Sequence, residues 1–282
     1  MNAADLILGH EAALRLGVFA AVLVALAIAE RRWPARGDAR PARRQLANLG
    51  LVLIDTAVLR LAFPLLAVVL AARIDARGGG LFGALAWPPW LEIALAVLLL
   101  DIAIYWQHRL LHIVPLLWPL HRVHHSDTAF DVTTGVRFHP LEIALSMAIK
   151  LGLVVVLGPA AIAVVIFELL LSAGSLFTHA DFALPPRIDR ALRWWIVTPS
   201  MHRIHHSLRR EETDSNYGFN LSLWDRVFGS YRAHARQPER RMPIGLPAWR
   251  DPAALGLSAL LLQPFRRPPA ARDPLHEETP DA

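Results

Sequence analysis

The chain has 282 residues, of which 54% are hydrophobic and only 19% charged, with a formal net charge of +5 and no cysteine. That much apolar surface exceeds what a soluble domain buries and fits a membrane protein. The absence of cysteine excludes disulfides, thiolate metal sites, iron–sulfur clusters and a cysteine nucleophile; the basic residues flank apolar segments, so a positive-inside pattern explains them better than nucleic-acid binding.

The first apolar stretch runs from about Leu14 to Ala29 and ends in Glu30-Arg31-Arg32-Trp33-Pro34. It has no small-residue cleavage site, and a basic region follows rather than precedes it. It therefore reads as a retained helix, not a signal peptide. Arg31, Arg32, Arg36, Arg40, Arg43 and Arg44 then form an arginine-rich loop, expected on the cytoplasmic side. A second stretch, about Leu49 to Ala72, carries Asp55 and Arg60, both expected to face other helices rather than lipid. Gly78-Gly79-Gly80 marks a turn on the far side. Pro88-Pro89 opens a third stretch, about Trp90 to Trp106, which continues as helix through His112.

A polar region, about Ile113 to Pro140, follows. The long apolar region from Leu141 to Phe177 is broken by Gly158-Pro159 and reads as a helical hairpin. A hairpin returns the chain to the side it left, so His179 falls on the face of the earlier histidines. The stretch from His179 to about Ala235 is polar, aromatic and soluble-like. The remainder is rich in proline and arginine; Leu255 to Leu262 is too short to span and is expected at the surface, and the extreme end reads as disordered. The expected fold is all-α: an integral-membrane helical bundle of about four transmembrane helices with a cytosolic histidine-rich helical cap. Residues 1–235 form a single membrane domain, its catalytic core about 90–232, and 236–282 a partly disordered tail. The membrane is a cell inner membrane or one of the endoplasmic-reticulum type.

Ten of the 13 histidines fall into a pattern. His108 and His112 form H-x-x-x-H. His121, His124 and His125 form H-x-x-H-H, and His202, His205 and His206 repeat it. His139 and His179 stand singly between. Residues three and four apart share a helix face, whereas the adjacent His124 and His125 point about a quarter-turn apart and can reach two different metals. Imidazole is a strong neutral ligand for iron, copper and zinc. Eight clustered histidines are more than one ion uses, so the pattern points to a metal pair at a membrane surface. For His139 and His179, spacing alone leaves open a ligand or an ordinary polar residue; His10, His234 and His276 read as surface or capping residues. Structural zinc needs only four ligands. H-E-x-x-H is absent, as is the Glu-x-x-His of soluble carboxylate di-iron bundles.

These residues closely resemble the fatty acid hydroxylase / sterol desaturase superfamily of membrane di-iron oxygenases. The likeness covers about Trp90 to Tyr231. It rests on the three boxes, on RFHPLE around His139, FTHADF around His179, TPSMHRIHHS before the third box, and NYGFNLSLWDRVFGSY from Asn216 to Tyr231. The resemblance implies two iron ions held by histidine, His139 and His179 among the ligands. It implies O2 as co-substrate, a lipid substrate (sterol, fatty acyl, carotenoid or similar) and hydroxylation or desaturation of an unactivated C–H bond. No fused cytochrome b5-like segment is evident, so electrons are expected from a separate protein, cytochrome b5-like or a ferredoxin and its reductase.

An all-histidine site stays cationic, so nearby polar groups matter as partners of the ligands. Candidates are Asp101, Asp127, Asp131, Glu142, Asp181 and Asp225, with Arg137 as an ion-pair partner and Asn216 as a donor. Each is equally a candidate cap, turn or salt-bridge residue. Two other classes compete with the oxygenase: a metal transporter, which needs ligands at mid-membrane, and a zinc-dependent membrane hydrolase, which needs a glutamate base inside a histidine box. Neither feature is present.

Overall fold

The computed structural model describes residues 7–63, 66–85 and 87–270. Among these residues the secondary structure is helical, with only isolated bridges and no strand. Five segments are long and apolar enough to cross a membrane: Glu11–Arg32, Ala42–Gly83, Pro89–Ile113, Pro140–Leu157 and Ala161–His179. Among the described residues this matches the expected all-α membrane bundle of about four helices.

The helices are α1 (Glu11–Arg32), α2 (Ala42–Ala62), α3 (Ala67–Asp75), α4 (Gly80–Gly83), α5 (Pro89–Ile113), α6 (Trp118–His125), α7 (Pro140–Leu157), α8 (Ala161–His179), α9 (Pro186–Leu192), α10 (Pro199–His205), α11 (Arg210–Thr213), α12 (Leu223–Val227) and α13 (Leu257–Leu262). Pro89 opens α5, where its missing N–H costs nothing. At 25 residues the helix is about 37 Å long, enough to cross about 30 Å of hydrocarbon and still carry His108 and His112 out at its end. α8 is central: it packs against α1, α3 and α5, against the 3-10 turn Val132–Val136, and against α10.

Gly158 ends α7 in the left-handed conformation (φ 61°), and a Cβ there would lie 2.0 Å from the Gly79 carbonyl oxygen. Only glycine combines that φ with so close a backbone approach. The hairpin turn and the Gly78–Gly80 turn thus lock together at the end of the bundle away from the histidines.

The structure departs from several expectations. Arg60, in the last turn of α2, is exposed rather than turned toward other helices; at a helix end its stem can carry the charge outward. Leu255–Leu262 is no free surface helix: Leu260 is fully buried against Ala47, Leu51 and Val123, because α13 closes over α2 and α6. The tail packs against the rest of the chain as far as Gln263, with Met242, Ile244 and Gln263 in the interior, and residues 265–270 are exposed. The segment expected to be disordered beyond residue 270, including His276, lies outside the described residues. Finally, the arginine-rich loop is only half free. Arg44 is buried between Asp127 and Asp131, and Arg40 pairs with Asp181 and Glu30. Arg36 pairs with Asp38 and donates to the Met242 carbonyl.

Candidate metal centre

Two short helices deliver the H-x-x-H-H boxes. α6 begins with a proline in its first turn, and α10 follows the N-cap Thr198 with Pro199 at its start. Their eight and seven residues give about two turns, just enough to put the three box histidines on one side. α5 brings His108 and His112 from the bundle, and the end of α8 brings His179.

Nine histidines gather into two adjacent sets. His108, His112, His121, His125 and His205 form one; His124, His179, His202 and His206 form the other. Within each set the candidate donor nitrogens lie within 4.8 Å of one another. None of the nine rings is more than 8% exposed. The sets abut: the His125 and His206 rings stack at 4.5 Å and those of His202 and His205 at 5.0 Å. Each box is split, His124 from His125 and His205 from His206.

The protons show what the sets can hold. His108 Nδ1 lies 2.8 Å from the Tyr217 carbonyl, His205 Nδ1 2.7 Å from the Ser215 carbonyl, and His121 Nδ1 2.7 Å from Glu142 Oε1. A carbonyl or carboxylate oxygen only accepts, so each Nδ1 carries the proton and each Nε2 keeps its lone pair. The Nε2 atoms of His108, His112, His121, His125 and His205 are all buried with no hydrogen-bond partner. In the second set, His179 Nδ1 donates to the Ser175 carbonyl at 2.7 Å and His124 Nδ1 to the Arg137 carbonyl at 3.3 Å. Their Nε2 atoms nevertheless face each other at 3.0 Å, with His202 Nε2 at 3.0 Å and His206 Nε2 at 3.2 Å from His179 Nε2. Two lone pairs at that distance repel. A cation between them resolves the conflict, and an isolated core with so many orphaned acceptors would be costly. The donor set is all imidazole, which suits iron, copper, nickel or zinc.

Outside the membrane-spanning segments, the same burial sets the proton affinity of the rings. Burial first, then the neighbouring imidazoles, holds His124, His125, His202 and His206 well below the usual 6.5, and His205 is pushed down to about 3. These rings are neutral and ready to ligate.

The remaining candidates divide sharply. Glu142 touches a ligand directly, through His121. Arg137 lends its carbonyl to His124 and uses its guanidinium on the Val123 carbonyl, Asn48 and Ser126. Asp127 and Asp131 bind Arg44 rather than a histidine; Asp127 also accepts from Thr134 Oγ1 at 2.9 Å. Burial raises the Asp127 carboxyl, and Arg44 with Arg137 outweighs it, so the net shift is downward. Asp181 accepts from Arg36 N, Gly37 N and Arg40. Asp101 accepts from Asn220, Leu221 N and Trp224 Nε1, tying α5 to α12 and to the loop between α11 and α12. Asp225 accepts from the Tyr217 and Gly218 amides and Ser230, against burial that pushes it up to about 6. Asn216, with φ 54°, clamps the same loop through Met201 and Arg232.

His139 is not brought to either set. It caps α7, its Nδ1 accepting from the Leu141 amide at 3.2 Å, while Nε2 lies 3.1 Å from the Leu261 carbonyl. With both nitrogens in use, it has no lone pair for a metal. Sequence reasoning missed Arg44 and Asn48, which hold the Asp127 loop, and Glu30, which accepts from the Val132 and Asp181 amides. It also missed Asp214, 3.7 Å from His112.

Fold and site together define a helical membrane protein with an all-histidine centre able to hold two metal ions. Residues 93–230 match the fatty acid hydroxylase family model. This region of the chain therefore belongs to the fatty acid hydroxylase family, within the fatty acid hydroxylase / sterol desaturase superfamily. Among curated relatives, alkylglycerol monooxygenase of Xenopus tropicalis is 33% identical over 145 residues, 51% of this chain and 30% of that protein. Ornithine lipid hydroxylase of Rhizobium tropici is 30% identical over 182 residues, 64% of this chain and 52% of that protein. A methylsterol monooxygenase of Arabidopsis thaliana is 26% identical over 181 residues, 61% and 65%. The chain spans less than two thirds of each. No solved structure matches.

Proposed function

We propose that this chain is an O2-dependent oxygenase that hydroxylates or desaturates an unactivated C–H bond of a membrane lipid, using two iron ions held by the nine gathered histidines. The observation that carries the reading is the position of the two sets. They form the floor of a cavity of about 300 Å³ that rises between α2, α5, α7 and α8, and His108, His121, His124, His179 and His202 all line it. The relatives, named as monooxygenases and hydroxylases of lipids, point the same way.

When bound, the irons supply activation of O2 and cleavage of the C–H bond. The protein does the rest. Glu142 and the carbonyls of Tyr217, Ser215 and Ser175 fix which nitrogen of each ring is free. Ile104, Leu111, Val136, Phe138 and Leu171 wall the cavity with apolar groups that exclude water and align a chain. On the opposite side the site reaches solvent at His112, beside the exposed Asp214, in a second cavity of about 520 Å³ lined by Trp118 and Arg122. A separate electron-transfer protein, cytochrome b5-like or a ferredoxin with its reductase, approaches from that side. The exposed Arg31, Arg32 and Arg43 support a cytoplasmic location for it.

The test is purification with iron, metal counting and assay with lipid extract and reductant. Two irons per chain and O2-dependent lipid oxidation are expected. One zinc per chain with hydrolysis and no O2 consumption would overturn the reading.

A further inference from the structure

The cavity over the histidines is not uniformly apolar. Four membrane-spanning helices present polar side chains to it: Asp55 and Thr56 on α2, Gln107 on α5, and, at helical spacing, Glu142, Ser146 and Lys150 on α7 and Glu168, Ser172 and Ser175 on α8. Deepest is an ion cluster, with Lys150 2.6 Å and Arg15 2.9 Å from the two oxygens of Glu168. Asp55 is different. It is only 8% exposed, lines the cavity, and its Oδ1 is buried without a partner; Gln107 Oε1 is in the same condition. A polar group at bilayer depth without a partner is costly and marks function.

The level of this rung follows from helix rise. Asp55 lies seven residues beyond Asn48, which belongs to the network beside the metal site, and Lys150 lies eight beyond Glu142, which holds His121. At 1.5 Å per residue the rung stands about 10–12 Å above the layer of the histidines. Charge narrows the ligand. Lys150 and Arg15 are both engaged by the Glu168 carboxylate, so neither forms an ion pair with Asp55. The rung needs a neutral hydrogen-bond donor rather than another ion.

We propose that the cavity selects lipids whose chain carries a hydroxyl group about 10–12 Å from the carbon presented to the metals, and that Asp55 receives that hydroxyl. The inference rests on the cavity being the lipid site and names which lipid it prefers. Asp55 positions substrate through its own contact, and its Oδ1 has no hydrogen-bond partner among the described residues, so its removal should leave the fold and the metal sites intact.

The experiment is equilibrium binding to the full-length, metal-loaded protein in nanodiscs. Two probes are used, an octadecanoyl methyl ester with a mid-chain hydroxyl and the same ester without it; the hydroxyl is about equally far from both ends. The wild type is expected to bind the hydroxylated ester about tenfold more tightly, as one hydrogen bond to an otherwise unsatisfied buried acceptor allows. Asp55→Leu should lose the preference with metal content and thermal unfolding unchanged. Asp55→Asn, which keeps the size and an acceptor oxygen, should retain part of it. That pattern supports the inference whether or not oxidised product forms, so it stands apart from the test of the oxygenase reading. Equal affinity of the wild type for both esters overturns it even if turnover proceeds. So does a preference that survives both substitutions.

Discussion

Glu142 Oε1 lies 2.7 Å from His121 Nδ1, and among the described residues no other carboxylate is within hydrogen-bond distance of a ring in either set. One acidic side chain thus reaches the histidine core, and it enters from a membrane-spanning helix. Glu142→Leu is expected to weaken metal binding at the five-histidine set by about 10–100-fold, as loss of a ligand's hydrogen-bond partner does elsewhere. The four-histidine set should bind as before. Metal titration should show occupancy falling from two toward one; two sites of unchanged affinity would refute the role.

His139 and His124 separate capping from ligation. His139→Ala should keep both metals and cost about 0.5–2 kcal/mol of stability, the loss of a helix cap. His124→Ala and His205→Ala should each lose metal and activity with the helices still inserted. His234, exposed and in neither set, should tolerate alanine. Metal counting alongside thermal unfolding distinguishes the three outcomes.

Arg44→Ala leaves Asp127 and Asp131 buried without their cation. A broken buried ion pair costs about 3–5 kcal/mol. Arg43→Ala, one residue away and exposed, should change stability by less than about 0.5 kcal/mol. Denaturation in detergent compares the two, and equal stability would show that the Asp127 loop does not depend on Arg44.

Acid should destabilise the metal-free protein. The folded-state affinities of His124, His125, His202, His205 and His206 for protons lie below the unfolded value near 6.5. The unfolded chain therefore binds more protons once the pH falls below about 6.5, and stability drops from there toward the folded values. Melting temperatures of chelator-treated protein should fall between about pH 7 and pH 5. A flat profile would mean that the rings are not buried in the metal-free state.

Much of the centre was legible because its signal is local. H-x-x-H-H at His121 and at His202 carries its geometry within two helical turns, and adjacency alone separates His124 from His125. The hairpin at Gly158 was equally plain, since a glycine followed by proline both ends one helix and precedes the next. His139 was misjudged although its neighbour held the clue: a histidine immediately before Pro140 sits where helices take their caps. The partners of Arg44, Arg40 and Arg36 could not be read, because Asp127 and Asp181 lie 83 and more than 140 residues away in the chain. The carbonyls of Ser215, Tyr217 and Ser175 were invisible for a simpler reason. Every residue has one, so no residue type announces the one that orients a ring.

The pairing of Arg36, Arg40 and Arg44 inside the protein changes what its surface can sense. During insertion the nascent loop presents six guanidinium groups, and all six can bias which way the segment goes. After folding only Arg31, Arg32 and Arg43 stay open to anionic phosphates. This loop should therefore hold to acidic headgroups more loosely than its six arginines suggest, and a rise in ionic strength should weaken that contact little.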